Sequence, residues 1–164
     1  MLIDASVLDA CCGGRMFWFD KEDPRALFID NRRVEPGHNP YRPNHNVNPD
    51  IQMDFTKMDF SDESFELVIF DPPHLKSNSD TLNVARLYGR LGDDWREVIS
   101  LGFRECFRVL KQRGVLVFKW HEMSIPIGDV IGLIPQEYMP PLIGNRQGTK
   151  LKTHFLVFMK GGYA

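Results

Sequence analysis

Four carboxylates in this sequence stand at or near the ends of short apolar runs. Asp9 follows Ser6-Val7-Leu8, Asp30 follows Ala26-Leu27-Phe28-Ile29, Asp54 precedes the run that opens at Phe65, and Asp71 closes that run. A single acid in such a place is commonly a turn former or a helix cap. Four of them, with Gly13 and Gly14 close behind the first, fit a nucleotide-type site better. Asp71 is followed at once by Pro72, Pro73 and His74. Two successive prolines fix two φ angles, so an acceptor beside them is held in place without further ordering cost. Asp71-Pro72-Pro73-His74 is the sharpest candidate for chemistry; the plain alternative is a rigid turn that ends a strand.

The elements that must position these residues are short and apolar. Ser6–Ala10, Ala26–Asp30, Phe65–Asp71, Gly114–Trp120 and His154–Met159 read as strands, and their continuous apolar runs suit strands covered on both faces. Between the third and fourth lies the clearest helix, over roughly Asp93 to Lys111. There Trp95, Val98, Ile99, Phe103, Cys106, Phe107 and Leu110 recur at helical spacing, and Gly114 follows the end. Strand and helix in alternation predict a mostly parallel α/β sheet. Arg32 to Pro49, with five prolines or glycines and four asparagines, predicts a long loop. Leu75 to Gly92, which includes Ser77, Asn78 and Ser79, predicts loop with room for one short helix.

Composition narrows the function classes. The chain has 164 residues, 43% hydrophobic and 26% charged, which suits one globular domain over 1–164. No apolar stretch reaches the roughly 18 residues of a membrane helix, and Met1 to Ser6 carry no basic leader, so a cytoplasmic protein with no membrane partner is expected. Cys11, Cys12 and Cys106 show no metal-ligand spacing; reduced thiols and no metal are expected. A net charge of −2 argues against a protein that grips nucleic acid by bulk electrostatics, and leaves a grip that is local, weak or shared with a partner.

Asp9-Ala10-Cys11-Cys12-Gly13-Gly14 resembles the first motif of class I S-adenosylmethionine-dependent methyltransferases, with two adjacent glycines where the family has a glycine-x-glycine pair. Asp54-Phe55-Thr56-Lys57-Met58-Asp59-Phe60-Ser61-Asp62-Glu63-Ser64-Phe65-Glu66-Leu67-Val68 is similar to the segment that feeds the family's fourth strand. Arg108-Val109-Leu110-Lys111-Gln112-Arg113-Gly114 resembles the entry to its fifth. The resemblance covers nearly the whole chain. It implies a single Rossmann-like, doubly wound, mostly parallel sheet with an antiparallel strand near the C-terminus. It also implies S-adenosylmethionine as cofactor, with Asp9, Ala10, Cys11, Cys12, Gly13 and Gly14 at the turn, Asp30 and Asn31 at the ribose, Asp54 and Phe55 at the adenine, and Asp71 beside the methyl donor. The family sets a helix ahead of its first strand, whereas this sequence reaches that strand almost at once; a cofactor lid supplied from elsewhere, or an open pocket, is expected.

Asp71-Pro72-Pro73-His74 resembles the Asp-Pro-Pro-Tyr signature of the amino-methyltransferases, whose substrates include adenine N6. An aromatic amine is a poor nucleophile because its lone pair is spread into the ring. Two acceptors, the Asp71 carboxylate and by the family's pattern the Pro72 carbonyl, each take one N–H and turn the lone pair toward the methyl donor. The fourth position normally offers an aromatic face to the base; His74 can stack there, hydrogen-bond or titrate. The expected activity is methyl transfer to an exocyclic amine, adenine N6 in DNA, with RNA adenine, protein or small molecules as alternatives. A different class of reading is a non-catalytic cofactor-binding subunit. A partner subunit or a homodimer is expected to assist target recognition.

Weaker candidates surround these. Phe17, Trp18 and Phe19 are placed to wall the cofactor pocket or to pack in the core, and Trp120 and His121 to border the target pocket. Lys76, Arg86, Arg90 and Arg96 read either as a phosphate-facing rim or, with Asp80, Asp93, Asp94 and Glu97 among them, as a solvated mixed face. His38, Tyr41, Arg42 and His45 mark the long loop as a substrate contact or a plain insertion.

Overall fold

A computed structural model describes residues 5–76, 83–138 and 152–161, and the backbone of 142–147. Residues 1–4 of the leading segment, and Ser77, Asn78, Ser79 and Asp80, lie outside the described residues. The chain runs β1 (Val7–Asp9), β2 (Ala26–Asp30), β3 (Ile51–Gln52), β4 (Phe65–Phe70), α1 (Asn83–Tyr88), α2 (Trp95–Val109), β5 (Leu110–His121), α3 (Ile127–Ile131), β6 (Leu142–Gln147) and β7 (Lys152–Met159). The strands form one sheet in the order β3-β2-β1-β4-β5-β7-β6. The first five are parallel, and β7 lies antiparallel to both β5 and β6. This is the mostly parallel sheet that the sequence predicts, closed by an antiparallel strand. No described helix is long and apolar enough to cross a membrane.

One face of the sheet carries α2 and α3. Leu8, Val68, Leu116, Phe118, Leu156 and Phe158 share a core cluster with Ile99, Phe103, Cys106 and Phe107 of α2 and Val130 of α3. The buried α2 positions recur at three- and four-residue intervals, which is why that segment is helical. Helix α2 is the crossover between parallel β4 and β5, and it passes into β5 without a loop. Pairing with β4 starts at Leu110, breaks, and resumes at Val115; Arg113 takes a left-handed φ of 64° within the break. Arg108 ties this helix end to the chain entering β4. It bonds Glu105, Asp62 and the carbonyls of Met58 and Phe60, while Glu105 accepts the Met58 amide at 2.7 Å. The two segments that resemble the family on either side of β4 are thus one hydrogen-bonded unit.

The connections from β1 to β2 and from β2 to β3 contain no helix among the described residues. The segment between β1 and β2 is a series of turns, pinned by Arg15, itself at φ 54°. Its guanidinium lies 3.8 Å over the Phe28 ring and bonds the Lys21 and Asn48 carbonyls and the Asp50 carboxylate. Cys12, Ala26 and Phe28 cluster there with Val7 and Trp18. The long loop between β2 and β3 is ordered too. Val34 bridges Val47, Asn39 is fully buried, and a Cβ on Gly14 would sit 3.1 Å from His45 Nε2. Gly14 thus lets this loop seat closely on the turn that follows β1.

Candidate functional site

The carboxyl ends of parallel β1, β2, β3, β4 and β5 open onto one cavity of about 1300 Å³. Single-ligand pockets run to roughly 1,000 Å³, so this one has room for two molecules side by side. Of the residues singled out by sequence, Asp9, Cys11, Cys12, Gly13, Gly14, Asp30, Asn31, Asp54, Phe55, Asp71, Pro72, Pro73 and His74 all line it. Ala10 does not; it is fully buried behind the turn, where its amide bonds the Ile69 carbonyl.

The turn after β1 is shaped by two acids. Gly13 takes φ 49°, which aims its N–H at Asp30 Oδ2, 2.9 Å away. A Cβ on Gly13 would meet nothing within 4 Å, so this glycine supplies conformation rather than space. Asp9 accepts the Trp18 indole at 2.7 Å and the Cys11 amide at 3.3 Å. Burial nevertheless pushes its carboxyl up to about 7, against the pull of those two donors. Asp30 accepts not only Gly13 but the Arg32 amide at 2.9 Å and Arg32 Nε at 3.2 Å, with Arg32 Nη2 at 3.4 Å. A carboxylate offers about four acceptor positions, and protein donors fill them all here. Asp54 holds the Thr56 amide and hydroxyl, both at 2.8 Å, while Phe55 is buried against Phe70.

Asp71 is the centre of the other half. His74 Nε2 lies 3.0 Å from Oδ1, and Lys119 donates to Oδ2. Burial raises the Asp71 carboxyl, but the His74 hydrogen bond and the Lys119 charge outweigh it and hold the group below its ordinary value. The His74 ring packs edge-on against Trp120 at 5.1 Å, so this histidine orients the acid as well as lining the cavity. His121 lines the cavity with Nδ1 2.9 Å from Thr153 Oγ1. Burial, with His74 and Lys119 nearby, lowers its pKa and keeps it neutral.

The weaker candidates divide. Phe17 reaches the cavity, Trp18 stands behind Asp9, and Phe19 projects fully into solvent. Trp120 is a core residue whose indole bonds the Ile125 carbonyl, not a border of the target pocket. Arg86 and Arg90 line the cavity, whereas Lys76 pairs with Asp93 and Arg96 covers Trp95. His38, Tyr41, Arg42 and His45 do not line it. Sequence reasoning passed over Lys119 and Arg32. Lys119 had a signal, a charge within the apolar run Val115 to Trp120; Arg32 stands two residues after an acid that it then neutralises.

No protein-family model and no curated protein matches the chain. Solved structures do. A Pyrococcus horikoshii protein aligns over 94% of this chain and 81% of its own, with 17% identity and TM-score 0.59. The 1,6-didemethyltoxoflavin N1-methyltransferase of Burkholderia thailandensis, solved with its substrate and S-adenosylhomocysteine, aligns over 95% and 71%, with 13% identity and TM-score 0.59. A Methanosarcina mazei S-adenosylmethionine-dependent methyltransferase aligns over 98% and 94%, with 11% identity and TM-score 0.55. The fold of this chain is the one these three structures share, two of them methyltransferases.

Proposed function

We propose that the chain is an S-adenosylmethionine-dependent methyltransferase acting on an exocyclic amino nitrogen, with adenine N6 in DNA as the substrate. The observation that carries this reading is the meeting, in one cavity, of the acidic strand ends and glycine turn with Asp71-Pro72-Pro73-His74. When bound, the cofactor supplies an electrophilic methyl group on a sulfonium. The residues fit such a cation, because Asp9, Asp30 and Asp71 converge closely enough for Asp71 and Asp30 to add to the upward push on Asp9. Phe55 and Asp54 would meet the adenine, and the ribose hydroxyls would take the place of the Arg32 guanidinium on Asp30.

Asp71 stays ionised and has acceptor positions to spare beside His74 and Lys119. One N–H of the substrate amine binds there and the other at the Pro72 carbonyl, which directs the lone pair and steadies the charge that grows on nitrogen. Asp71 is also the nearest base for the proton the nitrogen then sheds. Adenine is chosen from the likeness of Asp71-Pro72-Pro73-His74 to the Asp-Pro-Pro-Tyr signature, and Arg86 and Arg90 place cationic side chains on the same cavity. With a net charge of −2, recognition of a longer target falls to a partner subunit or a second copy.

Labelled methyl transfer to DNA, RNA and protein pools, with products identified by mass spectrometry, tests the reading. N6-methyldeoxyadenosine is expected from the wild type, and a loss of at least ~100-fold from Asp71→Ala, with cofactor binding changed only a few-fold. Cofactor binding without transfer to any pool, or an active Asp71→Ala, refutes it.

A further inference from the structure

Lys119 lines the cavity beside Asp71 and helps keep that carboxylate ionised, but the transfer gives it no contact with the substrate. It points from the same face of β5 as Val115 and Val117, and the pairing of Phe70 with Phe118 brings it beside Asp71, the residue after β4. Its side chain is 27% exposed and lines the cavity, and its Nζ lies 5.8 Å from the centre of the Phe17 ring. An ammonium carries three N–H groups, and Asp71 Oδ2 takes one of them. A charged donor with N–H groups to spare therefore stands next to the oxygen that receives the amine.

Two donors on one carboxylate oxygen stand on the order of 4.5–5 Å apart when each keeps ordinary hydrogen-bond length and direction. An acceptor atom two bonds from the amine nitrogen falls in the space between them. The charges match such a group: the Asp71 carboxylate faces the N–H, and the Lys119 ammonium faces the acceptor. Simple amines lack that second atom and leave the ammonium unanswered, which is the situation a polar pocket discriminates against most strongly.

We propose that Lys119 reads a hydrogen-bond acceptor on the carbon that bears the reacting amine. The substrate class is thereby an amidine-type edge, such as adenine N6 with N1, or cytosine N4 with N3, rather than an isolated amine. This rests on the methyl-transfer reading, which makes Asp71 the acceptor of the amine.

Binding of two probes separates the two ideas. 4-Aminopyrimidine carries an amine beside a ring acceptor, and aniline carries the amine alone. Nuclear magnetic resonance titration, above neutral pH and with and without S-adenosylhomocysteine, is expected to show 4-aminopyrimidine bound about tenfold or more tightly than aniline by the wild type. Lys119→Met is expected to bind both alike, and Lys119→Arg, which keeps the charge and donors, to retain part of the preference. A lysine serving only as the counter-ion of Asp71 would weaken both probes equally on removal. Equal binding by the wild type, which needs no variant to fold, overturns the inference, and so does a preference that survives in Lys119→Met. A preference in a protein that transfers no methyl group leaves the inference standing and sinks the methyltransferase reading. Transfer without a preference does the reverse.

Discussion

Asp9→Asn is expected to change how the stability of the fold depends on pH. Asp9 is 2% exposed, and its burial holds the carboxyl at about 7 in the folded protein against 3.8 when exposed. The folded state therefore binds this proton more tightly than the unfolded state does. Below the lower value both states are protonated and the group contributes no penalty. As pH rises through the interval, the unfolded chain ionises first, and stability falls by up to ~1.36 kcal/mol per pH unit until the folded group ionises too. Integrated from 3.8 to about 7, the loss is about 4 kcal/mol. Asparagine does not titrate. It still accepts one of the two bonds from Trp18 and Cys11, and losing the other costs roughly 1 kcal/mol at every pH. Urea denaturation of both proteins followed by circular dichroism from about pH 4 to about pH 8 gives the test. The variant should be slightly the weaker at the acid end and the stronger by up to ~3 kcal/mol at the other. His45 and His121, whose lowered pKa values tilt stability the opposite way in the same interval, are present in both proteins and cancel in the difference. Two curves separated by a constant offset would show that Asp9 does not titrate in this window.

Two further substitutions probe the half of the cavity proposed to hold the cofactor. Arg32→Ala frees Asp30 of a guanidinium that the ribose would have to displace; removing a partly exposed pair of about 1 kcal/mol should raise S-adenosylhomocysteine affinity about fivefold by calorimetry. Unchanged or weaker binding would mean that Arg32 does not compete for that site. Gly102→Ala places a Cβ 2.6 Å from Phe70 Cζ and 2.9 Å from Phe55 Cδ2. Overpacking of about 1–3 kcal/mol should exceed the ~1 kcal/mol that alanine gains in a helix, and displacement of Phe55 should weaken cofactor binding too. A variant as stable as the wild type with unaltered affinity would count against this packing.

Much of the fold was legible because its signals are local. β1, β2, β4 and β7 are short apolar runs, and α2 announces itself by the spacing of Trp95, Ile99, Phe103 and Cys106. β3 was missed because two residues, Ile51 and Gln52, show no period. β6 was missed because Gly144, Asn145, Arg146 and Gln147 carry the composition of a loop; it lies at the sheet edge, where one side needs no strand partner. The Arg32–Pro49 loop was correctly placed but looked formless, since its order comes from Asn39 and His45 meeting distant residues and from Val47 bridging Val34. For the site, strand-end position was enough to gather the acids. It could not find Lys119, whose role depends on the register between β4 and β5.

That register also sets an order of charge along the mouth of the cavity. Read across the sheet from β3 to β5, the residues at or just beyond the strand ends are Asp54, Asp30, Asp9, Asp71, and then Lys119 with His121. The acids occupy one side and the bases the other, and Asp71 stands at the boundary. Its neighbour on the acidic side, Asp9, is pushed up by burial, while Asp71, with donors from His74 and Lys119, is held down. Two carboxyls in one cavity with environments driving them apart are the arrangement by which a site separates its roles. Asp9 titrates near neutral pH, while Asp71 keeps its charge well below it. A cation entering this cavity is drawn to the acidic side, and a group with both a donor and an acceptor fits only at the boundary. Under the proposed methyl-transfer reading, this order gives one end of the cavity to the cationic cofactor and the other to its target.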